Sequence, residues 1–208
     1  MSRAMWMMPM LAALAMPLHA KDPPPPPLFA ESANQTLPPP PADKAQIILL
    51  EPINKIQGMF PIGIFELRGE QRTLLAVTIW HSKAIVLLEP GKHMLMANAA
   101  VAHLMEANVE AGKRYYVLLR FIYAQGMQLR PLRTSGTSDY RVNSPEFPKW
   151  LEITTRYVEK SPTADAAFAN EKSLEFIDKQ QAKALEAWAA RTDAERAELT
   201  LNPEDAVQ

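Results

Sequence analysis

The chain contains no cysteine. That excludes disulfides, thiolate metal sites, a thiol nucleophile and lipid attachment at an N-terminal cysteine. Small exported domains often lean on disulfides, so this one has to be held by its core. An excess of one charge is also missing. Lys and Arg number 22 against 23 Asp and Glu, a net charge of -1, and without a basic field no nucleic-acid partner is expected. Glycine is scarce, at 7, while proline reaches 19, so rigid extended segments are expected rather than loose ones. The length of 208 residues fits one folded domain plus appendages.

What is present begins at the N-terminus. Ser2-Arg3 is a short positive start, Met5 to Leu18 is apolar, and His19-Ala20 meets the charged pair Lys21-Asp22. This is the order of a cleavable export signal. The apolar stretch is shorter than the roughly 20 residues of a membrane span, and Pro9 and Pro17 interrupt it. Residues 1–20 are therefore read as a signal peptide, leaving a protein of periplasmic or secreted location with no transmembrane span.

Residues 21–44 follow as a proline-rich linker, with Pro23 to Pro27 and Pro38 to Pro41 bracketing a polar stretch. Proline runs favour extended polyproline II, so a semi-rigid tether free of the domain is expected. From Ala45 the texture turns β-rich. Short apolar runs at residues 46–50, 60–67, 73–80, 84–88, 93–97, 102–109, 115–123 and 127–132 are separated by Gly- and Pro-containing turns. Close spacing of this kind predicts an antiparallel sandwich or barrel. Runs as continuously apolar as Ile47-Ile48-Leu49-Leu50 fit strands covered on both faces. Thr134 to Pro148 reads as a loop, and Leu151 to Val158, with Ile153, Thr154 and Thr155, as a last strand. The fold class is thus mainly β: a small antiparallel β-sandwich over residues 45–160, with a C-terminal α-helical appendage over 161–208.

In that appendage Ser161-Pro162 suits the start of a helix. Leu174, Ile177, Ala184, Leu185 and Trp188 recur at helical spacing. Thr192-x-x-Glu195 is a capping box for a second, shorter helix. A stripe this apolar has to lie on something, and packing on its own sheet is expected because the chain runs straight out of a strand into it.

Two turn-strand motifs stand out: Leu88-Glu89-Pro90-Gly91-Lys92-His93, and Val109-Glu110-Ala111-Gly112-Lys113-Arg114-Tyr115-Tyr116. With them, residues 45 to about 133 resemble a group of uncharacterised bacterial envelope domains, often described as lipoproteins, with P-G-x-H and A-G-K-x-Y-Y motifs. The resemblance implies a small β-sandwich behind an export signal and no catalytic residues. The chain departs from the lipoprotein members in having no cysteine to lipidate.

Signatures of chemistry are weak. His81, His93 and His103 lack the spacing of zinc motifs and are read as structural. Ser82, Ser135 and Ser138 sit in no nucleophile elbow, and Gly136-Thr137-Ser138 is not a phosphate loop. Glu66 with Glu70, or Asp139 with Glu146, are the acid pairs a glycosidase could use, but loosely placed acids are usually solvated. Tyr115, Tyr116, Phe121 and Tyr123 are read as core, with a stacking surface as the sharper alternative. Lys113, Arg114, Arg120, Arg130, Arg133, Arg141, Lys149 and Arg156 form a basic middle that either pairs with the acidic tail or meets an anionic polymer.

The expectation is a non-enzymatic binding or structural module of the envelope, with no catalytic, metal or cofactor-binding residues. Its partner is an envelope protein or an anionic envelope polymer, and no signal indicates an oligomeric state. The alternatives are a hydrolase of cell-wall or glycan material and a docking subunit of an envelope complex. N-terminal sequencing of the protein from an envelope fraction is predicted to begin at Lys21 or within a few residues of it; an exported form that retains Met1 would show that no signal is removed.

Overall fold

The computed structural model describes residues 26–54 and 60–207, so the signal read over residues 1–20 lies outside it. Eleven strands fall in this region: β1 (Phe29–Glu31), β2 (Ala45–Glu51), β3 (Ile62–Arg68), β4 (Gln71–Thr78), β5 (Ser82–Leu88), β6 (Gly91–Asn98), β7 (His103–Val109), β8 (Arg114–Ile122), β9 (Gly126–Pro131), β10 (Arg156–Lys160) and β11 (Thr200–Leu201). Four helices accompany them: α1 (Glu146–Ile153), α2 (Ala164–Phe168), α3 (Glu171–Ala189) and α4 (Asp193–Glu198). The chain is mainly β, with its longest helix near the C-terminus, as the periodicity predicts.

The strands form two sheets, ordered β1-β10-β5-β2-β8-β9 and β11-β7-β6-β3-β4. Side-chain alternation sends Ile47, Leu49, Tyr115, Val117 and Leu119 from the first sheet, and Ile64, Leu95, Ala97, Met105 and Ala107 from the second, into one shared core. The arrangement is sandwich-like, but it is not purely antiparallel. β10 runs parallel to β5, β2 to β8, and β11 to β7. Hairpins force antiparallel neighbours; these three pairs join strands far apart in sequence, where the connection leaves direction open.

The outer faces are apolar too, and each is covered. Ile48, Leu50, Tyr116, Leu118 and Leu132 on the outside of the first sheet pack under Leu37, Tyr140, Phe147, Trp150 and Leu151. Phe65, Leu67, Leu74, Val77, Met96 and Leu104 on the outside of the second pack under Ile177, Ala184 and Trp188 of α3. This explains why residues 45–51 are buried throughout.

Three expectations change. The segment read as a strand from Leu151 begins inside α1 instead, and β10 starts only at Arg156. Phe147, Trp150 and Leu151 share one face of α1 against the sheet. Pro148 is tolerated because it sits in the first turn, where no intrahelical donor is needed. Packing outweighs the β propensity of Ile153 and Thr154, whose hydroxyl turns back to the Trp150 carbonyl at 2.7 Å. The long helix does not start at Ser161-Pro162. A short α2 intervenes, and Asn170 caps α3 by accepting from the Ser173 N–H at 3.1 Å.

The proline-rich segment, expected to stand free, is docked from Leu28 onward. β1 pairs antiparallel with β10, and the Gln35 side chain brackets Tyr157, accepting from its N–H at 2.9 Å and donating to its carbonyl at 3.0 Å. The Pro38 carbonyl accepts from Arg114 at 2.6 Å. Proline removes donors but not acceptors, and the non-proline residues between the runs supply an edge strand.

α3 thus packs at home. Its stripe is Ile177, Gln181, Ala184 and Trp188, while Leu185 stays exposed. Trp188→Ala is expected to destabilise the isolated domain by about 3–5 kcal/mol, read as a lowered urea midpoint. Superimposable melts of wild type and variant would refute this packing.

Candidate functional site

The groups that looked chemically suggestive in sequence turn out to secure turns. His93 is buried, with Nδ1 2.6 Å from Glu66 Oε1 and Nε2 2.8 Å from the Glu89 carbonyl oxygen. A carbonyl cannot donate, so Nε2 carries a proton. Burial alone would raise the Glu66 carboxyl, but hydrogen bonds from Arg68 and His93 outweigh it and hold it below the usual carboxylate range. His93 therefore clips the Pro90-Gly91 turn to the neighbouring strand, at a turn where Gly91 takes φ 130°. In the second motif Gly112 takes φ 71°, and the buried Tyr115 hydroxyl accepts from the Glu110 N–H at 3.0 Å. Both motifs are turn clamps.

The remaining candidates disperse. Glu70 is exposed in the turn after β3, away from the satisfied Glu66, and Asp139 and Glu146 are both exposed. The Ser82 hydroxyl donates to the Ile79 carbonyl at 2.6 Å, and Ser138 accepts from the Tyr140 N–H at 3.2 Å. His81 takes φ 56° beside Trp80. His103 Nε2 lies 2.8 Å from the Gln125 carbonyl, and burial lowers its pKa. Among the described residues, no three His, Asp or Glu side chains come together as metal ligands.

Much of the basic middle is engaged from within, by carboxylates in part and by neutral groups otherwise. Arg130 pairs with Glu198, and Arg133 with Asp205 at 2.6 Å. Arg120 bonds Gln128 and Tyr140, Arg114 bonds Gln46, and Lys149 pairs with Glu146. Arg156 lies over the Trp80 ring and Arg141 bonds the Gly136 carbonyl. The expected pairing with the acidic tail is thus present at Arg130 and Arg133, and at Arg72, which reaches Asp178 on α3 at 2.5 Å.

Among the described residues, a cleft of about 710 Å³ lies beside the N-terminal half of α3. Its walls are Phe60, Pro61 and Ile62 entering β3, Phe121 and Met127 of the β8–β9 hairpin, and Phe168, Phe176 and Ile177 of α2 and α3. Asn98, Lys172 and Ser173 supply polar groups. Asn98 is 8% exposed, and among the described residues its Oδ1 has no hydrogen-bond partner. Of these, Phe121 and Ile177 had been singled out in the sequence, Phe121 in the aromatic run and Ile177 in the helical stripe. The others come from five separate stretches, and the available hint was Phe176, which falls off the buried stripe of α3 and is 46% exposed. Tyr123, at 87% exposed, stands on the same hairpin.

A second anomaly lies in the core. Glu51 ends β2, wholly buried, and among the described residues neither its carboxyl oxygens nor the Thr78 hydroxyl lies within hydrogen-bond distance of a partner. Burial pushes the Glu51 carboxyl up to about 8, against a smaller opposing effect of Thr78. No helix among the described residues is long and apolar enough to cross a membrane. No family model matches the chain, and no curated protein matches it.

The Glu51 shift sets a pH dependence. The folded state holds this proton up to about pH 8, while the unfolded chain releases it near 4.5. Stability from this group therefore falls as pH rises from about 4.5 to about 8 and levels off above. The unfolding free energy of wild type from urea melts is expected to decline across that window, by on the order of a few kcal/mol. Glu51→Gln, which cannot ionise, flattens the decline; equal slopes for the two proteins would assign the dependence to other groups.

Proposed function

We propose that the protein is a non-enzymatic binding module of the bacterial envelope, exported by its N-terminal signal, and that it takes an apolar ligand in the cleft beside α3. The observation that carries this reading is the cleft's lining. Its volume of about 710 Å³ lies in the range of small-molecule sites, which are mostly apolar with a few placed polar groups. Lys172 is the one titratable residue that lines it among those described. Hydrolysis of glycans needs two acids converging on one bond, so this lining favours holding a ligand over cleaving one. The likeness of the two turn motifs to exported lipoprotein-type β-sandwich domains belongs to the same reading, as does an antiparallel-rich sandwich serving as a rigid frame for the cleft.

The docking-subunit alternative loses its main support, because the helix face that would have docked is occupied by the chain's own sheet. The test is direct binding. N-phenyl-1-naphthylamine, an uncharged apolar fluorophore, is expected to bind residues 21–208 at one site. Phe176→Glu is expected to weaken that binding roughly tenfold, about the worth of one half-buried aromatic contact. Absence of binding, or binding indifferent to Phe176→Glu, would overturn the reading.

A further inference from the structure

Asn98 is out of keeping with its neighbours. It ends β6, and alternation puts its side chain on the outer face of the second sheet, the face of Met96. Its cross-strand partner is Gly63 of β3. A Cβ on Gly63 would meet the rings of Phe65 and Phe168 at 2.9 and 3.0 Å, so aromatic carbon closes over this spot. An apolar side chain would suit the position. The amide that stands there is 8% exposed, and among the described residues its Oδ1 has no hydrogen-bond partner. A buried acceptor without a donor is costly unless a ligand or a water supplies one. Of the described residues with such an unpartnered buried atom, Asn98 is the one that lines the cleft beside α3.

The end of the sandwich-like body around the cleft is poor in charge. The strand registers bring three connections there: Ile79 to His81, Ala99 to Ala102, and Tyr123 to Gln125. None of them contains Asp, Glu, Lys or Arg. The β2–β3 connection adds one charge, Lys55, which lies outside the described residues. At the other end each of three connections is charged, at Glu70, at Glu89, and at Glu110 with Lys113. The exposed Phe60, Val101, Phe121 and Tyr123 all stand at the uncharged end. Apolar surface gathered in this way marks a binding site rather than ordinary surface. Lys172, the charged residue of the lining, is exposed, so no buried counter-charge faces the cleft among the described residues.

We infer that the cleft takes an uncharged apolar molecule carrying a hydrogen-bond donor, a hydroxyl or an amide N–H, which Asn98 Oδ1 accepts. This rests on the cleft being the binding site and names the class of its ligand. A charged group loses hydration on entering an apolar cleft and regains little from a lining without a buried counter-charge. A pure hydrocarbon would leave the Asn98 oxygen unpaired. The last torsion of an asparagine side chain is soft, so the oxygen can turn toward an entering donor.

The experiment displaces bound N-phenyl-1-naphthylamine with 1-decanol and with its isomer methyl nonyl ether, which has the same atoms and no donor. Both are kept below their solubility limits, and inhibition constants are corrected for the fluorophore's own affinity in each protein. Decanol is expected to bind wild type roughly fivefold more tightly than the ether, the worth of one hydrogen bond. In Asn98→Leu, and in the smaller Asn98→Ala, that preference disappears or reverses. Decanoate and decylammonium are expected to compete more weakly than decanol. Equal binding of alcohol and ether by wild type overturns the donor assignment and leaves the apolar cleft standing. A preference that survives both substitutions overturns the role of Asn98, and tighter binding of either ion overturns the uncharged class. Failure of the fluorophore to bind at all is a separate result, and it overturns the cleft as the binding site.

Discussion

Both sheets are apolar on both faces, and the need to cover four faces shapes the rest of the molecule. β2 is the clearest instance. Ile47 and Leu49 point inward to the second sheet, Ile48 and Leu50 point outward, and all four are inaccessible to water. Two sheets stacked alone would leave the outward residues wet. The chain resolves this by spending its non-β segments as covers: α1 and the loop before it over one sheet, α3 over the other. Without a disulfide, this burial is the main source of stability.

Covering has consequences at the edges of the covers. α3 lies along the second sheet through Ile177, Ala184 and Trp188, and Lys172 and Ser173 of its N-terminal turn line the cleft. The cleft is the gap left there, between a helix set by its stripe and hairpins set by their registers. Phe176 faces that gap because it is one position off Ile177.

Buried polar groups follow two different rules. Glu66 and His93 satisfy one another, with exposed Arg68 donating a further bond to Glu66, and the price of burying the pair is offset by a fixed turn. Glu51 has no such partner among the described residues, and burial holds its proton on. The first arrangement fixes a turn, whereas the second ties the stability of the core to pH.

Much of the architecture was legible in local pattern. The short strands, the glycine turns at Gly91 and Gly112, the double-sided burial of β2 and the helical stripe ending at Trp188 are all encoded within a few residues of where they act. Hairpin chemistry and periodicity are local properties. α1, the docked segment around Phe29 and the parallel pairs β2–β8 and β5–β10 were not legible, because each depends on a partner far along the chain. Ile153 and Thr154 favour a strand by propensity, and only the apolar face waiting above Leu132 and Tyr116 makes their segment helical. The cleft is the extreme case. Phe60, Asn98, Phe121, Phe168 and Lys172 carry no common motif, and their meeting is set by where α3 comes to rest, since the place of a packed helix is decided by the surface it covers.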